Sequence, residues 1–184
     1  MDDALADHLA LVDNVREVLP ELETVSQRLI DVYSRRGRLF TFGNGGSSCD
    51  AQHFAEELIA RFRRERRALP ATSLSSDASV LTCIGNDFGF EQVFSRQVEG
   101  LVCSGDMVVA FSTSGRSENV VRGLAAARER GATTVLFGGG DGGAAVNHAD
   151  HRFVVQSTDT ARIQEMHVLM VHIVIERVDA WAAG

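Results

Sequence analysis

From Arg38 onward, short runs rich in β-branched and aromatic residues alternate with longer segments of helical periodicity, and each run ends in glycine or hydroxyl residues. Short apolar runs bounded by such turn signals are typical of strands that are buried on both faces. Strands that alternate with helices predict an α/β fold, a doubly wound five-stranded parallel sheet flanked by helices. The predicted strands are Leu39–Phe42, Ala71–Leu74, Met107–Phe111, Thr133–Phe137 and Arg152–Val155.

Helical periodicity also marks both ends of the chain. Residues 2–35 carry two apolar stripes, which Pro20 separates. We expect a helical N-terminal extension over residues 1–36 within one domain of residues 1–184, because this length suits a single core. A last helix, Ala161–Ala180, is apolar nearly all round, so it is buried either in the domain or against another subunit. The other predicted helices are Cys49–Arg64, Phe90–Leu101, Ser117–Arg130 and a short one near Ala144.

The composition excludes several kinds of chemistry. All 18 basic residues are arginine, so neither a lysine Schiff base nor the lysine of a standard P-loop is available. The formal net charge of −7 argues against general nucleic-acid binding. The N-terminus lacks the pattern of a signal peptide, the three cysteines show no CxxC spacing, and the longest apolar stretch is too short for a membrane span. We expect a cytoplasmic protein that binds neither nucleic acid nor membranes.

Two turns lie where ligands of such sheets bind, at the carboxyl ends of strands. FTFGNGGSSCD, over Phe40–Asp50, lets a ligand approach its backbone and offers helical N–H groups to an anion, although any strand-to-helix turn can use glycines. It is not GxGxxG, so we expect no nucleotide cofactor. VAFSTSGRSEN places four hydroxyls at a helix start, where capping needs one, and this favours phosphate binding. These hydroxyls belong to Ser112, Thr113, Ser114 and Ser117.

Three histidines lie on the predicted helices Cys49–Arg64 and Ala161–Ala180. His53 and Glu57, four residues apart, share one helical face, which suits two ligands of a metal, a base with its partner, or an ordinary polar surface. His172 interrupts the apolar last helix, where a lone histidine is more often a satisfied core residue than a catalyst. His167 lies about 140° away around the same helix, so it cannot share one site with His172 in a single chain.

Two further segments are polar or charged. The predicted turn IGNDFGF, Ile84–Phe90, adds Asn86 and Asp87, which suit either sugar hydroxyls or an Asx turn. The run RFRRERR, Arg61–Arg67, holds five arginines; such runs are mostly solvated faces, but this one could draw an anionic substrate or form ion pairs between subunits.

Taken together, these segments resemble the sugar isomerase (SIS) domain superfamily and, within it, the bacterial phosphoheptose isomerases. The resemblance runs from the N-terminal helices to about Asp179, and four strings carry it in the family's order and spacing: GNGGSSCDAQHFAEEL, IGNDFGF, STSGRSENV and RIQEMHVLMVH. It implies an aldose–ketose isomerase that converts sedoheptulose 7-phosphate to D-glycero-D-manno-heptose 7-phosphate through an enediol, early in nucleotide-activated heptose biosynthesis.

The resemblance also implies roles for single residues. Glu57 would be the base that moves a proton between C1 and C2, and His172 its acid/base partner. It further implies a homotetramer with active sites at subunit interfaces, and one zinc ion per subunit, held by His53, Glu57, Gln164 and His172. Ser112, Thr113, Ser114 and Ser117 would hold the phosphate. Asn44, Gly45, Gly46, Asn86, Asp87 and Gln164 would contact the sugar chain.

Two features qualify these expectations. Ala161 stands where many relatives carry aspartate. Gln164 and His172 are separated by about 12 Å of helical rise, so sharing one metal requires an irregular helix start or two subunits.

Two other functions stay open. One is a scaffold that binds the replication initiator protein; the relatives with that function lack Glu57 and His172. The other is a sugar-phosphate sensor, which normally carries a DNA-binding domain.

Overall fold

The structure, a computed structural model, describes residues 2–184; Met1 of the predicted extension lies outside this range. Its strands are β1 (Leu39–Gly43), β2 (Ala71–Ser73), β3 (Met107–Ser112), β4 (Thr133–Gly139) and β5 (His151–Val155). All neighbouring strands pair in parallel, in the order β2-β1-β3-β4-β5. The predicted five-stranded parallel sheet is therefore confirmed.

Six α-helices cover both faces of this sheet. α1 (Asp2–Ser34), α2 (Gly46–Ile59) and α6 (Thr160–Ala182) pack on one face, and α3 (Ala78–Phe88), α4 (Ser95–Leu101) and α5 (Glu118–Glu129) pack on the other. Side chains alternate between the two cores, as in β1, where Leu39 faces α1, α2 and α6 while Phe40 and Phe42 face the opposite layer. Within residues 2–184, no helix is long and apolar enough to cross a membrane.

The N-terminal extension is one helix, so the prediction that Pro20 divides it is wrong. Pro20 costs α1 a backbone hydrogen bond, yet the helix continues through it. The helix continues because its buried apolar residues recur at spacings of three, four or seven residues, so those before and after the proline form one stripe that packs against α6 and the sheet. This stripe comprises Leu11, Val15, Leu22, Val25, Leu29 and Val32.

A helix also occupies the segment after β2, where only a turn was predicted. α3 begins after Asp77, whose carboxylate caps it, and ends at Gly89, whose φ of 93° suits glycine. The prediction of an Ile84–Phe90 turn is therefore wrong, since Asn86 and Asp87 lie in the last turn of α3. The polar pair and the glycine mark the end of a helix rather than a loop.

Two predicted helices are shorter than expected. The helix predicted over Cys49–Arg64 ends at Ile59, because the chain turns back there and the Leu58 carbonyl accepts a hydrogen bond from the Leu69 N–H. The helix predicted over Phe90–Leu101 consists of a 3₁₀ turn followed by α4. A second 3₁₀ turn, Ala144–His148, stands where the short helix was expected.

In the strand order, β2 is added to the sheet on one side of β1, whereas β3, β4 and β5 are added on the other side. From the neighbours β1 and β3 the chain leaves toward opposite faces, to α2 after β1 and to α5 after β3, so a crevice opens at their carboxyl ends. Both glycine and hydroxyl turns singled out from the sequence lie at this crevice.

Candidate active site

Helices α2 and α6 bring His53, Glu57 and His172 together. His53 Nε2 lies 3.3 Å from Glu57 Oε1 and 3.5 Å from His172 Nε2, and the two imidazoles meet edge to face. One donor atom from each residue lies within 4.8 Å of the other two. The pair predicted on α2 and the histidine predicted on α6 thus form one group, which we call the histidine–glutamate cluster.

The histidine–glutamate cluster is partly shielded from solvent. The side chain of Glu57 is 17% exposed and that of His53 33%, and the Phe62 ring lies 5.6 Å from the His172 ring. Burial, followed by the charge of His53, lowers the pKa of His172, Glu57 acts in the opposite direction, and Arg63 lowers it further. His172 is therefore neutral near pH 7 and can accept a proton or a metal.

The donor atoms of the cluster suit a zinc ion. Two imidazoles and a carboxylate are a ligand set that zinc takes in proteins, and such a set leaves a fourth position for water, substrate or another ligand. Glu57 and both histidines each present one such atom to the cluster, and these atoms lie within 4.8 Å of one another. These three residues therefore fit the zinc ion that the family resemblance implies.

Within one chain, Gln164 lies away from the histidine–glutamate cluster. Its amide packs on Gly46, where an added Cβ would come within 3.0 Å of all three atoms of the amide group. His53 is seven residues farther along α2, a helical rise of about 10 Å. Because α6 is a regular helix from Thr160, an irregular start does not bring Gln164 to His172. A fourth ligand from Gln164 stays a prediction that requires a second subunit.

The β3–α5 loop, residues Ser112–Ser117, forms a compact turn at the crevice. The Ser112 hydroxyl accepts a hydrogen bond from the Gly115 N–H at 3.1 Å, and the Ser114 hydroxyl accepts one from the Arg116 N–H at 3.2 Å. Ser117 is the N-cap residue of α5, but its side chain makes no capping hydrogen bond. Two of the four predicted hydroxyls thus shape the loop, whereas Ser117 is free of that task.

A glycine-rich loop after β4, residues Gly139–Gly143, forms the second wall of the site and was missed by the sequence analysis. Gly115 has a φ of 61°, and a Cβ there would collide with the Gly142 carbonyl. Arg116 pairs with Asp141 at 2.6 Å. The two loops line a cavity of about 460 Å³, to which the β3–α5 loop contributes Thr113 and Ser114. Ser157, Thr158 and Thr160 complete its lining. The run GGGDGG directly after a predicted strand was the available signal.

The glycine turn after β1 reaches across the crevice. The amides of Asn44 and Asn119 donate to each other at 2.8 and 2.9 Å, which ties the turn to the first helical turn of α5. Gly45, with a φ of 53°, has nothing within 4 Å of the place that a Cβ would take. The backbone of this turn is therefore open to a ligand, as expected, while the Asn44 side chain is held by a residue that the sequence analysis did not single out.

Asn86 and Asp87 lie on the opposite side of the sheet from the histidine–glutamate cluster. α3, which carries them, packs in the layer of α4 and α5. Both side chains are exposed, and the Asn86 amide donates to Asp87 Oδ1 at 2.7 Å. Within one chain they do not join the cluster on α2 and α6, so their predicted contact with a sugar stays a prediction.

The two histidines of α6 occupy separate environments, as predicted. His167 is fully buried, its Nε2 lies 3.0 Å from the Gly138 carbonyl oxygen, and burial lowers its pKa to about 4. Asp50 Oδ2 lies 4.0 Å from His167 Nδ1, and burial raises the pKa of Asp50 to about 6. His167 is thus a neutral core residue, whereas His172 belongs to the cluster.

Comparison with known proteins adds independent findings. Residues 5–139 match the family model described as the SIS domain. A phosphoheptose isomerase of Trichlorobacter lovleyi is 46% identical over 181 residues, which cover 98% of this chain and 92% of that protein. The structure of a phosphoheptose isomerase from Francisella tularensis superposes with a TM-score of 0.93 at 30% identity, and that from Neisseria gonorrhoeae with 0.91 at 34%; each match covers 97% of this chain and 96% of the other.

Proposed function

Because this chain belongs to the SIS-domain family and, within it, to the phosphoheptose isomerases, we propose that it converts sedoheptulose 7-phosphate to D-glycero-D-manno-heptose 7-phosphate. The observation that carries this proposal is the approach of His172 on α6 to His53 and Glu57 on α2. The product would enter the synthesis of nucleotide-activated heptoses at an early step. A pure scaffold has no need of such a cluster, which favours catalysis.

The proposed reaction moves one proton between neighbouring carbon atoms. Glu57 removes the proton from C1 of the ketose, a C1–C2 double bond forms, and the same carboxyl group returns the proton to C2. His172 takes the proton from the hydroxyl oxygen on C1 and delivers it to the oxygen on C2, so the net change is internal. A neutral His172, which its lowered pKa provides, can carry out this exchange.

The phosphate would be held by the β3–α5 loop. The first N–H groups of α5 have no partner within the helix, and its dipole places partial positive charge at Ser117. The Ser117 hydroxyl makes no capping bond, and Thr113 and Ser114 of the same loop line the neighbouring 460 Å³ cavity. This arrangement binds a phosphate without lysine, which the chain lacks.

We also propose one zinc ion per subunit, held by His53, Glu57 and His172, with Gln164 of a second subunit as the fourth ligand. When bound, zinc supplies a Lewis acid that polarises carbonyl and hydroxyl oxygens. Support comes from the spacing of the three donor atoms, all within 4.8 Å of one another.

A homotetramer with active sites at its interfaces would complete this arrangement. Apolar side chains that a lone chain leaves in water support it: Leu5 is 61% exposed, Leu9 58% and Phe90 63%. A second subunit would cover such surfaces and could supply Gln164, Asn86 and Asp87, which one chain keeps apart from the cluster. Sedimentation analysis over a dilution series tests the assembly.

The most direct test of the reaction uses deuterated water. The purified protein is incubated with zinc and sedoheptulose 7-phosphate, and the expected result is the aldose, with deuterium at C2 in those turnovers in which the proton on Glu57 exchanges with solvent before it is delivered. Absence of turnover with zinc present would contradict the isomerase function. Removal of metal with a chelator, followed by zinc add-back, then shows whether the ion is required for turnover.

A further inference from the structure

The arginine-rich run makes its ion pairs within the chain, with carboxylates of α6. Arg63 pairs with Glu176 at 2.5 Å and Arg64 with Asp179 at 3.5 Å, both from partly exposed positions. Arg66 differs, because its side chain and that of Asp179 are both fully buried. For these arginines, the structure shows a connection between the α2–β2 segment and α6 within one chain.

The Arg66 guanidinium makes hydrogen bonds to two helices at once. Its Nε donates to Asp179 Oδ1 at 3.0 Å, its Nη2 donates to the Glu57 carbonyl at 2.7 Å, and its Nη1 donates to the Leu58 carbonyl at 2.9 Å. These carbonyls belong to the last turn of α2, where a cation also meets the negative end of the helix dipole. The planar fork of arginine permits all of these bonds together, which a lysine ammonium cannot reproduce.

The two helices joined in this way are those that carry the histidine–glutamate cluster. Asp179 is seven residues after His172, so both lie on the same face of α6, separated by about 10 Å. Arg66 holds the peptide of Glu57 itself. The fork therefore connects the residue that bears the carboxylate of the cluster to the helix face that bears its imidazole.

We propose that Arg66 and Asp179 set the distance between Glu57 and His172 and are thereby positioning residues for the isomerisation. The inference rests on the proposed function. Buried ion pairs contribute little net stability compared with well-packed apolar residues, so stability alone does not explain the pair. Neither side chain reaches solvent, so neither touches the substrate.

The test separates positioning from stability by exchanging the pair for apolar residues. Arg66→Met removes the buried cation beside Asp179 and leaves that carboxylate only the Arg64 backbone N–H and the partly exposed Arg64 guanidinium, so we expect both the melting temperature and kcat to fall. Arg66→Met combined with Asp179→Leu removes both charges, and the melting temperature should recover. In the double variant kcat should stay reduced on the order of 10²-fold, the size expected for a displacement of about 1 Å, while KM changes little.

A second readout does not depend on turnover. Zinc affinity, measured by competition with a chromogenic chelator, should be weaker by about 10- to 100-fold in the double variant, because the ligands on α2 and α6 lose their spacing. Arg64→Gln is the matched control, since it removes an arginine that reaches Asp179 from the exposed side and does not bond to α2. Its kcat and zinc affinity should match those of the wild type.

Recovery of kcat and zinc affinity together with the melting temperature in the double variant would overturn the inference, because the pair would then be only structural. If the double variant does not fold, Arg66→Lys replaces it. This substitution keeps the positive charge beside Asp179 but loses the guanidinium hydrogen bonds to α2, so kcat and zinc affinity are again compared with the melting temperature. Failure of the wild type to turn over would contradict the proposed function instead, and the zinc measurement would still decide the role of Arg66.

Discussion

The histidine–glutamate cluster and the β3–α5 loop consist of different chemical groups. In the cluster, titratable side chains project from two helices, α2 and α6, and the contact of His172 with His53 depends on how these helices pack. In the loop, the polar groups are hydroxyls and backbone N–H groups. Glycines in this loop and in the loop after β4 allow the two backbones to approach each other. The cluster depends on the packing of helices, whereas the loop depends on local backbone conformation.

This difference assigns different tasks to the two regions. The cluster can exchange protons, because a carboxylate and a neutral imidazole lie next to each other. The loop can bind an anion but offers no group that titrates near neutral pH. Substitutions in the cluster should therefore lower kcat, whereas substitutions in the loop should mainly raise KM.

The largest effect is expected for Glu57→Gln. The amide keeps the size of the side chain but cannot take a proton from carbon, so kcat should fall by about 10³- to 10⁴-fold with little change in KM. Steady-state kinetics with sedoheptulose 7-phosphate measures both constants. Glu56→Gln is the matched control, since Glu56 is the exposed neighbour, and it should retain wild-type kinetics. An active Glu57→Gln would show that the base lies elsewhere.

Gly115→Ala should give the next largest effect, this time in the loop. The substitution forces a φ of 61° on alanine and drives its Cβ into the Gly142 carbonyl, so the two walls of the cavity must move apart. We expect KM to rise at least about 10-fold and the free energy of unfolding to fall by about 1–3 kcal/mol. Denaturant titration and steady-state kinetics measure the two changes.

Gly100→Ala serves as the control for that substitution. Gly100 lies in α4 with nothing within 4 Å of an added Cβ, so alanine should leave KM unchanged and stabilise the helix by about 0.5–1 kcal/mol. An unchanged KM in Gly115→Ala would show that contact between the two loops is not needed for binding.

The sequence predicts this fold well because its strands and turns are local signals. The five strands lie within two residues of their predicted ends, and both turns at the crevice lie after the strands that were expected to present them. Two predictions about the fold are wrong, because in each case another part of the chain overrides a local signal. Pro20 is a local helix breaker, but burial of one stripe along α1 overrides it; Asn86 and Asp87 suit a turn, but the Asp77 cap starts a helix ahead of them.

The site is predicted in part. Each residue of the cluster could be named, but periodicity alone did not bring His172 to His53, because that contact depends on how α6 lies against α2. The buried pair of Arg66 and Asp179 could not be read from the sequence either. The run that contains Arg66 looks uniformly charged, and only the turn of the chain after Ile59 buries this one guanidinium against Asp179.

Ser117→Ala tests whether the loop binds through its unoccupied hydroxyl. Because that side chain makes no capping bond, its loss should leave the melting temperature unchanged. Loss of one hydrogen bond to a charged phosphate costs about 1.5 kcal/mol, which raises KM by about 10-fold without changing kcat. A fall in kcat at constant KM would instead join this loop to the proton-transfer machinery and remove the proposed division of tasks.

The smallest expected effect concerns the charge around the cluster. Burial and the charges of His53 and Arg63 hold the pKa of His172 below its ordinary value of 6.5, so the imidazole stays neutral when the solution becomes mildly acidic. Arg63→Gln removes one of these cations, and the pKa of His172 should rise toward the ordinary value. An NMR titration of the imidazole C–H signals in metal-free protein measures this pKa.

Arg64→Gln is again the control for this titration, because Arg63 contributes to the lowered pKa of His172 and Arg64 does not. An unchanged pKa in Arg63→Gln would mean that burial and His53 lower the pKa of His172 without a contribution from Arg63. In any turnover that remains after zinc is removed, the acid limb of kcat/KM should follow the measured pKa, since protonation of His172 removes the acceptor for the hydroxyl proton. In Ser117→Ala the limb should stay at its wild-type position, because the loop contributes no titrating group to the reaction.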